Sequence, residues 1–135
     1  MKRWILSFTI GITVSGIAAH AHHSISAVYD SSQQVTIEGV VTQFQFIYPH
    51  PFVRMDVDDG GGQAQKWRLE MYDRSALAEI GMTTATLKQG DRIVVTGSLG
   101  RAQSHGLYIL RLDRPADGFR YELVDNKPRI RAALR

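Results

Sequence analysis

From Val35 to Leu112, apolar and polar residues trade places at every second position in run after run, and only one short stretch takes a helical spacing. A period of two commits a chain to strands with one buried and one wetted face. Val53, Met55 and Val57 alternate with Arg54, Asp56 and Asp58, and Trp67, Leu69 and Met71 alternate with Lys66, Arg68 and Glu70. Asp59-Gly60-Gly61-Gly62 between those runs is a turn, so the two form a hairpin. Its outward residues carry both signs of charge, which predicts cross-strand salt pairing on that face and not an active site.

The preceding run places Val35, Ile37, Gly39 and Val41 on one face and then changes parity to Phe44 and Phe46. A slip of that kind beside Gly39 predicts a bulge or sharp bend. Tyr48-Pro49-His50-Pro51 ends the strand. After the hairpin, Asp73 is placed to cap a short helix reaching Ile80, with Ala76, Leu77 and Ile80 on its buried side and Gly81 as its left-handed stop. Strands are expected over Ile93–Leu99 and Leu107–Leu112, with a loop from Gly100 to Gly106 between them and a weaker strand about Phe119–Leu123.

Three strands, one short helix and two more strands, the first long and bent, is the order of a small five-stranded barrel of the oligonucleotide/oligosaccharide-binding (OB) type. The expected fold is therefore mostly β, with its helix between strands 3 and 4. Closing so small a sheet would relieve its unpaired edges. In this architecture the loops joining strands 1 to 2 and 4 to 5 flank the binding face, and here they hold His50 and His105.

The N-terminus reads as an export leader: Met1, Lys2 and Arg3 are followed by an apolar stretch from Trp4 to Ala19 and by the small-x-small site Ala19-His20-Ala21. The expected layout is a signal peptide over 1–21, a flexible polar arm over 22–34, the β domain over 35–124 and a basic tail over 125–135. The stretch is short for a membrane span and carries Ser7, Thr9, Thr13 and Ser15, so the mature chain is expected to hold no transmembrane segment and to be periplasmic or secreted. Removing Lys2 and Arg3 lowers the formal charge from +3 to +1. The positive charge that remains gathers in Lys127, Arg129, Arg131 and Arg135, most simply read as a solvated end, and nucleic acid is an unexpected partner for an exported chain.

The chain has no cysteine, which excludes disulfides, thiol nucleophiles and cysteine metal sites, so any metal must be held by nitrogen, oxygen or thioether. Its five histidines are His20, His22 and His23 around the cleavage site and His50 and His105 in the two loops. Cleavage after Ala21 would leave His22 with a free α-amine beside its own imidazole, two nitrogens able to chelate one metal. Cleavage after Ala19 would instead put a histidine third, the arrangement that wraps square-planar Cu(II) or Ni(II). Pro49 and Pro51 stiffen the loop that carries His50. The specific expectation is Cu(II), with Zn(II) second, held by His22, His23, His50 and His105. Met55 and Met71 lie on inward faces and read as core rather than thioether ligands.

A different class of function competes with metal binding. Phe44, Phe46, Tyr48 and Phe52 cluster about the first loop and Tyr108 follows the second, so a metal-free module could offer an aromatic face to a peptide, glycan or protein. Catalysis is disfavoured: the chain has no His-Glu-x-x-His, no Gly-x-Ser-x-Gly and no phosphate loop. Glu38 and Glu70 are conceivable acid/base groups, yet glutamates outward on strands are usually solvated. No organic cofactor is expected.

His22-His23-Ser24, Tyr29-Asp30, Glu38-Gly39-Val40-Val41, Pro49-His50, Trp67-Arg68-Leu69-Glu70-Met71 and Leu87-Lys88-Gln89-Gly90-Asp91 stand in this order along the chain. Together they resemble the bacterial domain-of-unknown-function 6152 family, over a span from His22 to about Leu112. The resemblance implies a small exported protein with a leader and one β domain, and it adds no reaction. Two features depart from the family pattern: Tyr48 stands where Asn commonly precedes Pro-His, and the tail is basic. The first departure puts any turn or ligand role of that Asn in doubt here.

Overall fold

The computed structural model describes residues 24–133. The expected leader, the histidines His22 and His23, and residues 134–135 lie outside the described residues. After a single helical turn, α1 (Ile25–Val28), the chain runs through β1 (Tyr29–Gln45), β2 (Phe52–Asp58), β3 (Ala64–Glu70), α2 (Arg74–Glu79), β4 (Arg92–Gly100), β5 (Gly106–Arg114), β6 (Phe119–Val124) and β7 (Lys127–Arg131). The fold is mostly β, and no helix among the described residues is long and apolar enough to cross a membrane.

All seven strands join one sheet in the order β3-β2-β1-β4-β5-β6-β7, with neighbours antiparallel. A further parallel pairing sets Arg68, Leu69 and Glu70 of β3 beside Gly106, Leu107 and Tyr108 of β5. The run β3-β2-β1-β4-β5 therefore returns onto its own first strand.

The alternating residues point where the pattern predicts. Val41, Val53, Met55, Leu69, Met71, Ile93, Val95, Leu107, Ile109 and Leu112 are all fully buried, so Met55 and Met71 are core side chains. The parity change in β1 is a register shift between Val41 and Gln43 against β2, just beyond Gly39. Gly39 has its own reason: a side chain there would strike the Asp56 carbonyl of the adjacent strand. The hairpin turn is closed by its own carboxylates, Asp58 accepting from Gly60 N at 2.8 Å and Asp59 from Gly61 N at 2.7 Å. Asp73 caps α2 by accepting from Ala76 N at 3.0 Å, Leu77 is buried beneath it, and Gly81 stops it at a φ of +98°.

Two segments differ from the sequence reading. Tyr29–Gln34, expected within a flexible arm, begin β1, with Tyr29, Asp30 and Gln34 paired to β4 across a register shift that leaves residues 31–33 out of the ladder. Residues 31–34 are exposed on both faces, so they lack the alternation by which strands are recognised. Lys127–Arg131, expected as a solvated tail, form β7 against β6 through the two-residue turn Asp125-Asn126, both at positive φ. Such a turn matches the twist of an antiparallel pair. The basic residues of β7 hid a period of two in which Pro128 and Ile130 turn inward between exposed cations. The sheet accordingly has seven strands where five were expected.

Candidate functional site

The loop between β1 and β2 is held by backbone bonds to the chain leaving β3: Met71 N donates to Pro51 O at 2.9 Å and Arg74 N to Pro49 O at 2.9 Å. These bonds bring His50 against the end of β3. Its Nδ1 lies 3.1 Å from the Met71 carbonyl. A carbonyl only accepts, so Nδ1 carries the proton and Nε2 is the unprotonated nitrogen of the neutral ring. Backbone contacts of this sort fix the tautomer of metal-binding histidines. No protein partner for Nε2 occurs among the described residues.

Glu70 completes the neighbourhood. One carboxylate oxygen is 3.9 Å from His50 Nδ1, and the other accepts from the Tyr29 hydroxyl at 2.6 Å. The Glu70 side chain is only 15% exposed, unlike the solvated glutamate expected on an outward strand position. Tyr29 is itself buried and stands 5.6 Å, centroid to centroid, from Tyr108. Burial first, and then the bond to Glu70, pushes its phenol above the ordinary range near 10. Arg101 fastens the same segment, its backbone N–H donating to Val28 O at 2.8 Å and its guanidinium to Ser26 O and Asp30, each at 3.2 Å. Residues 25–30 thus form a strap pinned by Arg101 and, through Tyr29, by Glu70 of β3 and Tyr108 of β5.

His105 does not share this site. Its ring packs 5.2 Å from Trp67, and its carbonyl accepts from Arg68 N at 3.0 Å. The two loop histidines therefore meet the β3 segment at different levels, near Trp67 and near Met71, positions about 13 Å apart along an extended chain. Among the described residues no three His, Asp or Glu side chains are grouped to hold a metal ion. The expected ligands His22 and His23 fall outside the described residues.

The five aromatics proposed as one face divide into three settings. Phe44 and Phe46 pack together at 5.8 Å, and Arg74 lies over Phe46 and Tyr48 at 4.8 and 4.3 Å. Phe52 lies under Arg68, and Tyr108 is buried against Tyr29. The apolar side chains this loop leaves open are Ile47 and Tyr48, 48% and 65% exposed.

Sequence reasoning missed Tyr29 and Glu70 as partners. The available signal was a large aromatic in an otherwise polar arm, which would be costly to leave wet. The expected salt pairing on the hairpin face is also only partial: Lys66 meets Asp56 at 3.4 Å, whereas the register sets Arg54 opposite Arg68.

Among known proteins, the grouping described as "Family of unknown function (DUF6152)" matches residues 11–108. That span includes the strap, β1 to β4, His50, Glu70 and Tyr108, and it stops before β6 and β7. No curated protein matches the chain.

Proposed function

We propose that this chain, which belongs to the DUF6152 family, is an exported OB-like binding protein that holds Cu(II), or Zn(II) second, through its mature N-terminal histidines and His50. The OB-like reading draws on the β3–β5 pairing, because a five-strand run that returns to its first strand has the connectivity of that barrel. The metal reading draws on His50: with Nδ1 bound to the Met71 carbonyl, Nε2 remains as a ligand nitrogen. Glu70, which meets the ring on its Nδ1 side, anchors the strap that leads back to His22 and His23. Imidazole and amine nitrogens suit copper first by the order of divalent affinities. His105, packed on Trp67, is set aside as a ligand.

The test is calorimetric titration of Cu(II) and Zn(II) into protein recovered from expression of the full chain, its N-terminus read by mass spectrometry. One-to-one Cu(II) binding is expected at a terminus beginning with His22 or His20. An extra residue ahead of that terminus, or His50→Ala, should each weaken binding about tenfold or more. Equal affinity in all three proteins would sink the proposal. So would an uncleaved leader.

A second reading, a metal-free module that docks a peptide or protein partner, is favoured by the exposed pair Ile47 and Tyr48 at the tip of the β1–β2 loop. Tyr48→Ser would abolish that interaction and leave metal titrations unchanged.

A further inference from the structure

The outward face of the β2–β3 hairpin carries an arrangement its own charges do not explain. Arg54 and Arg68 are directly paired across the two strands, and like charges in that position repel. Five other arginines are answered: Arg92, Arg101, Arg111, Arg114 and Arg120 each hold a carboxylate oxygen within 3.3 Å. Among the described residues neither Arg54 nor Arg68 forms such a pair. The Arg68 guanidinium instead sits 3.4 Å from the centroid of the Phe52 ring.

A guanidinium held on an aromatic face is pre-aimed. Stacking fixes its plane, so its N–H fork meets an incoming oxyanion with little further loss of freedom. Arg54 is exposed one pleat away and still unneutralised. We infer that Phe52, Arg54 and Arg68 form a binding site for an acidic glycan, whose carboxylates or sulfates take up the two guanidinium groups. A polynucleotide fits less well, because single strands are held by stacking bases on open aromatic planes, and Arg68 already covers one face of Phe52. The inference goes beyond the metal reading and uses none of its ligands; the choice of a glycan rests on the expected export of the chain.

The experiment titrates a galacturonate hexamer, its methyl ester, a heparin hexasaccharide and a single-stranded oligonucleotide into the protein at about physiological salt, where long-range attraction is screened. An acidic sugar should bind, and the methyl ester should bind at least about tenfold more weakly. Arg54→Gln and Arg68→Gln should each cost about tenfold or more, as charge-assisted hydrogen bonds do. The double variant Lys127→Gln with Arg129→Gln, on the far edge strand, should change affinity by less than about twofold. Arg54→Gln should also raise the melting temperature, since it removes a like-charge pair. No binding of either acidic sugar overturns the inference. Equal losses from the edge-strand variant, tighter binding of the oligonucleotide, or a lower melting temperature in Arg54→Gln do the same.

Discussion

Tyr29 and Glu70, 41 residues apart, are joined by a 2.6 Å hydrogen bond that seats the N-terminal strap on β3. The bond links the stability of the strap to the state of one carboxylate that also neighbours His50.

Tyr29→Phe keeps the ring beside Tyr108 and removes only the hydroxyl. A hydrogen bond to a charged group contributes about 1.5 to 3 kcal/mol, so the variant should melt several degrees lower. Amide exchange over residues 25–30 should rise more than in β4. A melting temperature unchanged within about one degree would show that the bond contributes nothing, given how steeply melting follows stability in a domain of this size.

Alkaline pH should destabilise the protein through its tyrosines. Burial pushes the phenols of Tyr29, Tyr108 and Tyr121 above their ordinary value of 10. Groups whose folded pKa is raised lend stability that is intact below the unfolded pKa and is lost as pH climbs past it, because the unfolded chain then gives up protons the folded one retains. Unfolding free energy should therefore decline from about pH 10 upward. Phenolate absorbance should lag in the native protein and appear with unfolding; full ionisation before unfolding would contradict the burial of these rings.

At Gly97 the packing of β4 against β5 leaves no room for a side chain. A side chain there would collide with the Tyr108 carbonyl and the Leu107 side chain, both buried. Overpacking of this type costs about 1 to 3 kcal/mol when neighbours yield, and a backbone carbonyl yields poorly. Gly97→Ala should lower the unfolding free energy from urea titration by at least the upper part of that range, whereas Gly61→Ala, which meets only an Asp59 side chain in an exposed turn, should leave it nearly unchanged.

Arg114 gathers three acceptors, Thr86 O at 2.7 Å, Asp91 at 2.7 Å and Asp117 at 2.8 Å. It ties the turn before β4 to the turn after β5 while its side chain is 15% exposed. Arg114→Met should cost about 2 to 3 kcal/mol by leaving those acceptors unpaired. The bond from Arg114, foremost, holds the Asp117 carboxyl below its usual value. That contribution is present above the unfolded carboxylate pKa and disappears as pH falls through the folded one. The wild-type acid limb should thus be steeper than that of Arg114→Met, as pH-dependent urea titrations would reveal.

Strand identity was legible wherever one face is buried and the other wet. Val53, Met55, Leu69 and Met71 could be assigned to the core by alternation alone, and Asp73 and Gly81 bracketed α2 by their capping chemistry. Alternation disappears where both faces are solvated, which concealed the start of β1, and it was masked by charge in β7. The site was half legible. Pro49 and Pro51 pointed to His50, but its contact with Met71 O depends on how the loop folds back on β3. Nothing local to Tyr29 names Glu70, since only the parallel pairing of β3 with β5 brings Glu70 beside Tyr108 and under the strap. That His105 packs on Trp67 was not legible for a related reason: proximity of two loops does not fix their height along the strand they share.

Thr36 and Thr96 share a hydrogen bond at 2.8 Å across 60 positions of chain, and β1 lies between β2 on one side and β4 on the other. The strand that leaves the ribosome first among the seven thus has one edge unpaired until β4, which ends at Gly100, has been made. Pairing so distant in sequence delays folding, and that edge of β1 stays open through most of synthesis. Any translocation channel that takes polypeptide as an unfolded thread, leading end first, would find that delay built into the wiring of the sheet.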